Sequence, residues 1–294
     1  MIGMKMLRGS RLIVLMLSLL ALTGVALAER ADRSSAWSRV KTPSNGEPQA
    51  IGDYSGGCVQ GAHALPLDGE GYQAMHPSRL RHFGHPSLID FVTQLGKGAR
   101  AAQLADVLIA DLSQPRGGRA SGGHASHQSG LDVDIWYIGP DQPGTLSASQ
   151  REQMHARSVL DGKRGAIRTR WAERVAKLLQ LTAAAARVER VFVHPIIKRE
   201  LCAQPGTDRA WLGKLRPWFG HDDHFHVRLT CPSGSPDCTP QARVGSGDGC
   251  GEELAWWFSP EATQDREDGK KRYQSKVVSK PPVPPRCREV IAQP

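Results

Sequence analysis

Two short segments of the chain concentrate side chains that can bind a metal ion. The first covers residues 122–135 and the second covers residues 221–227, and together they hold five of the eleven histidines. A catalytic zinc ion generally takes three protein ligands, nitrogen or carboxylate oxygen, and keeps a fourth position for water. His127, Asp134 and one histidine of the second segment would supply that set. The two segments therefore predict a zinc site.

A β-strand in each segment would aim these side chains correctly, because residues i and i+2 of a strand face the same side. In the second segment, either His224 or His226 can then bind the metal while the other histidine faces water or substrate. In the first, Asp132 and Asp134 share one side, and Asp132 is open to a second interpretation as an orienting carboxylate. Three apolar residues face the other side and are expected in the core: Leu131, Val133 and Ile135.

Other hydrolytic motifs are missing from the sequence. It contains no His-Glu-x-x-His helix, no phosphate-binding glycine loop followed by Lys-Ser/Thr, and no nucleophile elbow. Hydrolysis by activated water is the economical alternative, since zinc lowers the pKa of its water from about 15.7 toward ~7 and no covalent nucleophile is needed.

Helices and strands are predicted around these segments. Leu88, Phe91, Val92 and Leu95 lie on one helical face after Ser87 and Asp90, a start like a capping box, so a helix is expected over residues 87–100. A second helix is indicated by apolar spacing in residues 171–179, and strands by residues 107–112, 191–193 and 224–229. The mixture lacks regular βαβ alternation. It predicts a single α+β domain with a central antiparallel sheet flanked by helices.

The first 28 residues have the features of a cleaved signal peptide. Three basic residues precede an apolar run over residues 12–28, which ends in the small-x-small pattern of Ala26 and Ala28. A membrane anchor is the alternative, but seventeen residues are at the short limit for spanning. No later segment is apolar enough to cross a bilayer. Export to the periplasm follows.

Six cysteines remain in the exported chain, and an even count there predicts three disulfides, with 15 connectivities possible. A local bridge between Cys231 and Cys238 is plausible from their separation. Residues 29–262 are expected to form the domain that carries the zinc site. Residues 263–294 form a charged, Pro-rich tail whose composition favours an extended chain, tied back through Cys287.

The chain is basic, with a net charge of +9 that becomes +6 once residues 1–28 are removed. A basic exported protein can meet nucleic acid, anionic lipid or an acidic polymer, and export argues against nucleic acid. Peptidoglycan, which carries carboxylates, suits the remainder as a partner. Oligomeric state is not encoded in any feature of the sequence.

The spacing His127-x6-Asp134, followed by His224-x-His226, resembles the lysostaphin, D-Ala-D-Ala peptidase and hedgehog-type zinc superfamily. Within it, three stretches closely resemble the penicillin-insensitive murein endopeptidase family: SGGHASHQSGLDVDI from residue 121, RPWF from residue 216 and SGDGCG from residue 246. The resemblance covers most of the exported chain and is weak only in the signal peptide and the tail.

This resemblance implies roles for individual residues. His127, Asp134 and His226 become the zinc ligands, His224 the catalytic candidate beside the metal, and His221 its helper. The implied reaction is hydrolysis of the D-alanyl to meso-diaminopimelyl cross-link between peptidoglycan stem peptides, in the periplasm. The implied disulfides pair Cys58 with Cys287, Cys202 with Cys250, and Cys231 with Cys238.

The chain departs from the family at one place. Relatives read Asp-Gly-Lys-His where this chain has Asp161, Gly, Lys and Arg164, and that Asp and His belong to a further metal site with the residue equivalent to His124. Charged arginine cannot bind a cation, so a second site built on His124 and Asp161 is weakened here.

Two other functions stay open at this point. One is a carboxypeptidase that releases terminal D-Ala, for which Arg119 or Arg216 would bind the terminal carboxylate. The other is a non-catalytic, zinc-containing module that binds peptidoglycan. Retention of His221 and His224 beside the ligands argues against the second, since a structural zinc site is closed by a fourth protein ligand.

Overall fold

The computed structural model describes residues 36–121, 124–142, 144–206, 208–274 and 282–294, without the side chains of residues 272–274. The predicted signal peptide over residues 1–28 lies outside the described residues. No described helix is long and apolar enough to cross a membrane.

Short strands and helices follow one another without regular alternation. In chain order they are α1 (Ala36–Arg39), β1 (Gln49–Gly52), β2 (Gly57–Gln60), β3 (His63–Ala64), β4 (Asp68–Gly69), β5 (Tyr72–Ala74), β6 (Phe83–Gly84), α2 (Pro86–Ala101), β7 (Val107–Ile109), β8 (Asp132–Trp136), α3 (Ala148–Gln153), β9 (Leu160–Asp161), β10 (Ala166–Ile167), α4 (Thr169–Ala184), β11 (Val188–Val193), α5 (Pro195–Cys202), β12 (Leu215–Pro217), β13 (His224–Leu229), α6 (Glu252–Trp256), α7 (Pro260–Gln274) and α8 (Pro285–Ala292).

A seven-stranded sheet forms the centre of the molecule, in the order β12-β11-β13-β8-β7-β5-β4. Most neighbours are antiparallel, and β11/β12 and β5/β7 are parallel pairs. The predicted α+β fold is confirmed. Strands β8 and β13 are adjacent, and their register places His226 opposite Asp134 and Arg228 opposite Asp132. This pairing brings the two metal-capable segments together.

One face of the sheet is apolar and packs against α2 and α4. The three apolar residues of the first segment belong to this core, as predicted, together with alternate residues of β13: Leu131, Val133, Ile135, Phe225, Val227 and Leu229. Burying each such side chain stabilises the fold by roughly 1.5–3 kcal/mol. The opposite face therefore carries the polar side chains of both strands.

The predicted helices have slightly different ends. Helix α2 begins at Pro86, and its N-cap is His85 rather than Ser87, because the His85 ring accepts a hydrogen bond from the Ser87 backbone N–H at 3.2 Å. Proline at the first helical position has no N–H to satisfy and a suitable φ. Helix α4 covers Thr169–Ala184 and buries the expected Val175, Leu178 and Leu179.

All three implied disulfides are present: Cys58–Cys287, Cys202–Cys250 and Cys231–Cys238. The first joins residues 229 apart in sequence and is fully buried at both cysteines. A bridge that closes so long a loop stabilises mainly by restricting the unfolded chain, typically by about 2–4 kcal/mol.

Helix α8 is also held by a buried cation. The Arg116 side chain is only 2 % exposed, and its Nη1 donates to the carbonyls of Val290 at 3.1 Å and Gln293 at 2.6 Å. Its Nη2 donates to the carbonyl of Pro294 at 2.9 Å. The disulfide attaches the C-terminal helix to β2, and the Arg116 contacts attach it to the segment that leads toward His124.

The expectation of an extended tail is wrong for its first part, because residues 260–274 form helix α7. The prolines that suggested an extended chain begin only at residue 281. The preceding residues are mostly charged, and Lys270 lies 2.7 Å from Glu267 one turn away, as Lys271 lies 3.5 Å from Asp268. Oppositely charged pairs at this spacing favour the helical conformation, although water screens them at an exposed surface.

Candidate active site

The carboxylate of Asp134 lies among four histidines on the polar face of the sheet. Its Oδ1 is 3.0 Å from His226 Nδ1 and 3.3 Å from His127 Nε2. Its Oδ2 is 3.4 Å from His124 Nδ1 and 3.9 Å from His224 Nε2. Burial alone would raise the pKa of Asp134, but the charges of His127 and His224 outweigh it and hold the pKa well below its usual value. The carboxylate is thus ionised and ready to bind a cation.

The unsatisfied atoms of this cluster fit a metal ion. Both ring nitrogens of His127 and the Oδ1 of Asp134 are buried and have no hydrogen-bond partner among the described residues. Buried polar atoms are normally hydrogen-bonded, and imidazole nitrogen and carboxylate oxygen are the usual zinc ligands besides thiolate. His124, His127 and Asp134 each offer a donor atom, all within 4.8 Å of one another. His226 joins them through its contact with Asp134.

His127 has an unusual backbone conformation. Its φ is +65°, in the left-handed region that non-glycine residues seldom adopt. Its backbone N–H donates to Asp132 Oδ2 at 3.0 Å, and Gly130, with φ of +74°, completes the turn before β8. Such a conformation persists only where its surroundings hold it in place. The turn thereby directs the His127 ring toward Asp134.

Asp132 is completely buried and contacts both sides of the site. Arg228 Nε donates to its Oδ1 at 2.8 Å, and His226 Nε2 lies 3.1 Å from the same oxygen without hydrogen-bond geometry. Burial alone would raise the pKa of Asp132. The charges of Arg228 and His226 have a larger, opposite effect and hold the pKa well below its usual value. One ionised carboxylate therefore contacts His226 and the backbone of His127, which supports its interpretation as an orienting group.

His124 is oriented by a residue that the sequence did not single out. Asp111 is 4 % exposed, and its Oδ2 lies 2.8 Å from His124 Nε2 and accepts from Arg81 Nη1 at 2.7 Å. Because an ionised carboxylate only accepts, the His124 proton must be on Nε2, which leaves Nδ1 facing Asp134. Asp161 is instead hydrogen-bonded to Arg164 Nε at 2.7 Å, and it does not belong to the group of mutually close donor atoms.

His221 and His224 lie beside the cluster, with ring centroids 5.0 Å apart. Burial lowers the pKa of His224, but Asp134 and a 2.6 Å hydrogen bond to Asp223 Oδ1 outweigh it and raise the pKa to about 9. Burial and the neighbouring charges of His224 and His226 lower the pKa of His221 to about 4. Without a metal, one ring is therefore protonated and the other neutral at pH 7.

These residues open onto a cleft of about 520 Å³. Asp134 and four of the five histidines line it, and Phe192, Trp218 and Phe219 form apolar walls. A cleft with aromatic walls and a few convergent polar groups is typical of an active or ligand-binding site.

Comparison with known proteins decides the family. A sequence model described as penicillin-insensitive murein endopeptidase matches residues 50–292. The chain belongs to the penicillin-insensitive murein endopeptidase family. It is accordingly a peptidase, and its family is one of metallopeptidases.

Proteins with this name are similar to the chain over nearly its whole length. One from Yersinia enterocolitica is 43 % identical over 276 residues, 94 % of this chain and 95 % of that protein. One from Klebsiella pneumoniae strain 342 is 41 % identical over 279 residues, 95 % of this chain and 97 % of that protein. One from Escherichia coli K12 is 40 % identical over 272 residues, 92 % of this chain and 96 % of that protein.

The structure brings ring nitrogens of His124, His127, His224 and His226 within 3.0–3.9 Å of the Asp134 carboxylate, and it places His221 next to His224. Asp111, Arg81 and Asp223 were missed by sequence reasoning. Asp223 directly precedes His224 in the sequence, and this adjacency could have predicted that its carboxylate contacts the histidine. Asp111 and Arg81 have no such local signal, because only the fold brings them to His124.

Proposed function

We propose that the chain is a zinc-dependent endopeptidase that hydrolyses the D-alanyl to meso-diaminopimelyl cross-link of peptidoglycan. The observation that carries this proposal is the Asp134 carboxylate among four histidines, with buried donor atoms unsatisfied, at the bottom of an open cleft. Membership of the murein endopeptidase family supports peptidoglycan as the substrate.

His127, Asp134 and His226 are the proposed zinc ligands. Asp134 Oδ1 lies 3.3 Å from His127 Nε2 and 3.0 Å from His226 Nδ1, so both histidines offer a ring nitrogen beside the carboxylate. Zinc, when bound, polarises the scissile carbonyl and lowers the pKa of a water molecule toward ~7. His124, which contacts Asp111 through Nε2, faces the second carboxylate oxygen of Asp134, Oδ2, through Nδ1.

His224 and His221 are proposed to carry the proton transfers. Asp223 holds the Nδ1 proton of His224, so its Nε2 faces Asp134 and the cleft. From there Nε2 can stabilise the developing oxyanion or pass a proton to the leaving amine, the usual tasks of an acid-base group. His221 lies next to His224 in the same cleft, with its Nδ1 3.3 Å from the carbonyl oxygens of Trp218 and Phe219.

The surroundings of Arg216 favour an endopeptidase over a carboxypeptidase. Arg216 is bound to Glu253, with its Nη1 donating to Oε2 at 3.1 Å. A guanidinium already neutralised by a carboxylate is poorly suited to bind the terminal carboxylate of a substrate. A carboxypeptidase would need such a cation at a closed end of the cleft.

The compartment and domain limits are part of the proposal. Three disulfides support an oxidising compartment, which agrees with a signal peptide at residues 1–28 and a periplasmic location. Residues 29–262 then carry the peptidase, and residues 263–294 form a tail that Cys287 ties to the body.

Digestion of purified cross-linked muropeptide dimers tests the reaction. We expect dimers to be converted to monomers, no cleavage in the presence of a chelator, and recovery on addition of Zn²⁺. Release of free D-Ala would instead identify a carboxypeptidase. Intact dimers with bound protein would identify a peptidoglycan-binding module.

Replacing Asp132 by Asn tests the support of the metal site. The amide keeps the shape but removes the charge that Arg228 and His226 contact. We expect zinc affinity to fall about 10–100-fold, the usual effect of losing a group that orients metal ligands. Affinity is measured by competition with a chromogenic chelator on protein shown to be folded by circular dichroism.

The matched control is Asp106→Asn, which removes a carboxylate that contacts Gln73 and Arg100 instead. Its zinc affinity should equal that of the wild type. An Asp132→Asn protein with wild-type zinc affinity would contradict the orienting role.

A further inference from the structure

A continuous row of aromatic rings leads from the active-site cleft onto the surface. Trp218 and Phe219 line the cleft, and Trp257 contacts both, with ring centroids 5.9 Å and 5.2 Å apart. Trp256 contacts Trp257 at 5.2 Å and extends the row outward. We call these four residues the aromatic ridge: Trp218, Phe219, Trp256 and Trp257.

The ridge exposes large apolar side chains to solvent. Trp218 is 55 % exposed and Trp256 is 44 % exposed, among the few large apolar side chains exposed in the described part of the chain. A single exposed apolar residue is ordinary, but a contiguous patch beside a binding cleft marks an interaction site. The ridge is continuous with the cleft, so one large substrate can contact both.

The backbone that carries the outer part of the ridge is anchored in the fold. Helix α6, which contains Trp256, is anchored by buried Leu254 and by the ion pair between Arg216 and Glu253. The Cys202–Cys250 disulfide fixes the chain just before this helix. A surface whose rings are fixed before binding loses less conformational entropy when a ligand arrives.

We propose that the aromatic ridge binds the glycan strand of peptidoglycan, so that the enzyme holds a cross-link by its peptide and by the sugar chain that carries it. This inference rests on the proposed function. The cross-linked peptide offers the ridge little to bury, since alanine has only a methyl group and diaminopimelate is charged. N-acetylated amino sugars present apolar C–H faces and acetyl methyl groups, together with amides and hydroxyls. Tryptophan combines a broad apolar ring with one N–H donor and matches such a surface.

The experiment compares two substrates. Cleavage is measured on intact peptidoglycan and on cross-linked peptide dimers freed of glycan by an amidase. For Trp256→Ala we expect the ratio of kcat/KM on intact peptidoglycan to kcat/KM on glycan-free dimers to fall roughly tenfold, the effect of losing one well-placed aromatic contact. Trp256→Phe should restore part of that ratio.

The control is Leu67→Ala, which removes an apolar side chain that is 39 % exposed just before β4. Strand β4 lies at the opposite edge of the sheet from β12, which precedes Trp218. The ratio for this variant should match that of the wild type.

Binding is measured separately from catalysis. An oligomer of N-acetylglucosamine should quench the tryptophan fluorescence of metal-free wild-type protein, and Trp256→Ala should weaken this binding by a similar factor. If wild-type protein binds the oligomer but cleaves no dimer, the proposed function fails and the ridge stands. An unchanged ratio for Trp256→Ala would overturn the ridge proposal, and so would wild-type protein that binds anionic phospholipid vesicles but not the oligomer.

Discussion

Protein in which His127 is replaced by alanine should contain almost no bound zinc and should not cleave peptidoglycan cross-links. A site with three protein ligands has no spare donor. Even the loss of a group that merely orients a ligand costs 10–100-fold in metal affinity, so removal of a ligand should cost more than ~100-fold. Metal content is measured on purified protein after dialysis against a weak chelator. Cleavage of cross-linked muropeptide dimers is measured on the same protein.

The left-handed backbone of His127 requires a control for folding. His127→Asn keeps a residue type that tolerates this conformation and should also lose zinc. His63→Ala removes an exposed histidine from β3 and should keep full metal content. Stoichiometric zinc in both His127 variants would show that the metal is bound by other residues.

Protein in which His224 is replaced by glutamine should keep its zinc but lose most of its activity. His224 Nε2 lies 3.9 Å from Asp134 Oδ2, farther than the corresponding atoms of His127 and His226. Glutamine cannot carry the proton that Asp223 stabilises on the ring. Loss of an acid-base group typically lowers turnover by 10²–10⁴-fold, and we expect a fall in kcat of about two orders of magnitude or more.

Zinc content and binding to intact peptidoglycan are measured on the same preparation. His155→Gln, at an exposed histidine beyond α3, is the matched control and should retain wild-type turnover. Loss of zinc from His224→Gln would make His224 a ligand. Undiminished cleavage would transfer the catalytic role to His221 or to another residue of the cleft.

The sequence alone was sufficient for the parts of the site that depend on local periodicity. Alternation along β8 placed Asp132 and Asp134 on one side and three apolar residues in the core, because side chains of a strand alternate wherever one face is buried. Alternation along β13 did the same for His224 and His226. The helix over residues 87–100 was predictable for a similar reason, since its apolar residues repeat at helical spacing.

Two sequence-based predictions, the extended tail and the start of α2, differ from the structure. The prolines from residue 281 onward predict an extended chain for the whole tail, yet the charged residues before them form helix α7. Ser87 was predicted as the cap of α2, whereas His85, two residues earlier, accepts the capping hydrogen bond because the helix already begins at Pro86. Helix ends depend on side-chain hydrogen bonds that a composition average does not contain.

Only the tertiary structure decided how distant residues meet. Pairing of β8 with β13 sets Asp134 opposite His226, although 92 positions separate them, and the sheet order then adds Asp111 from the end of β7. The same folding puts Trp218 after β12 against Trp257 after α6, which creates the aromatic ridge. Strand order and the packing of loops result from the burial of the whole core, and no short stretch of sequence contains that information. The types of residue that do the chemistry are therefore legible in the sequence, whereas their partners, charge states and the shape of the cleft arise from the fold.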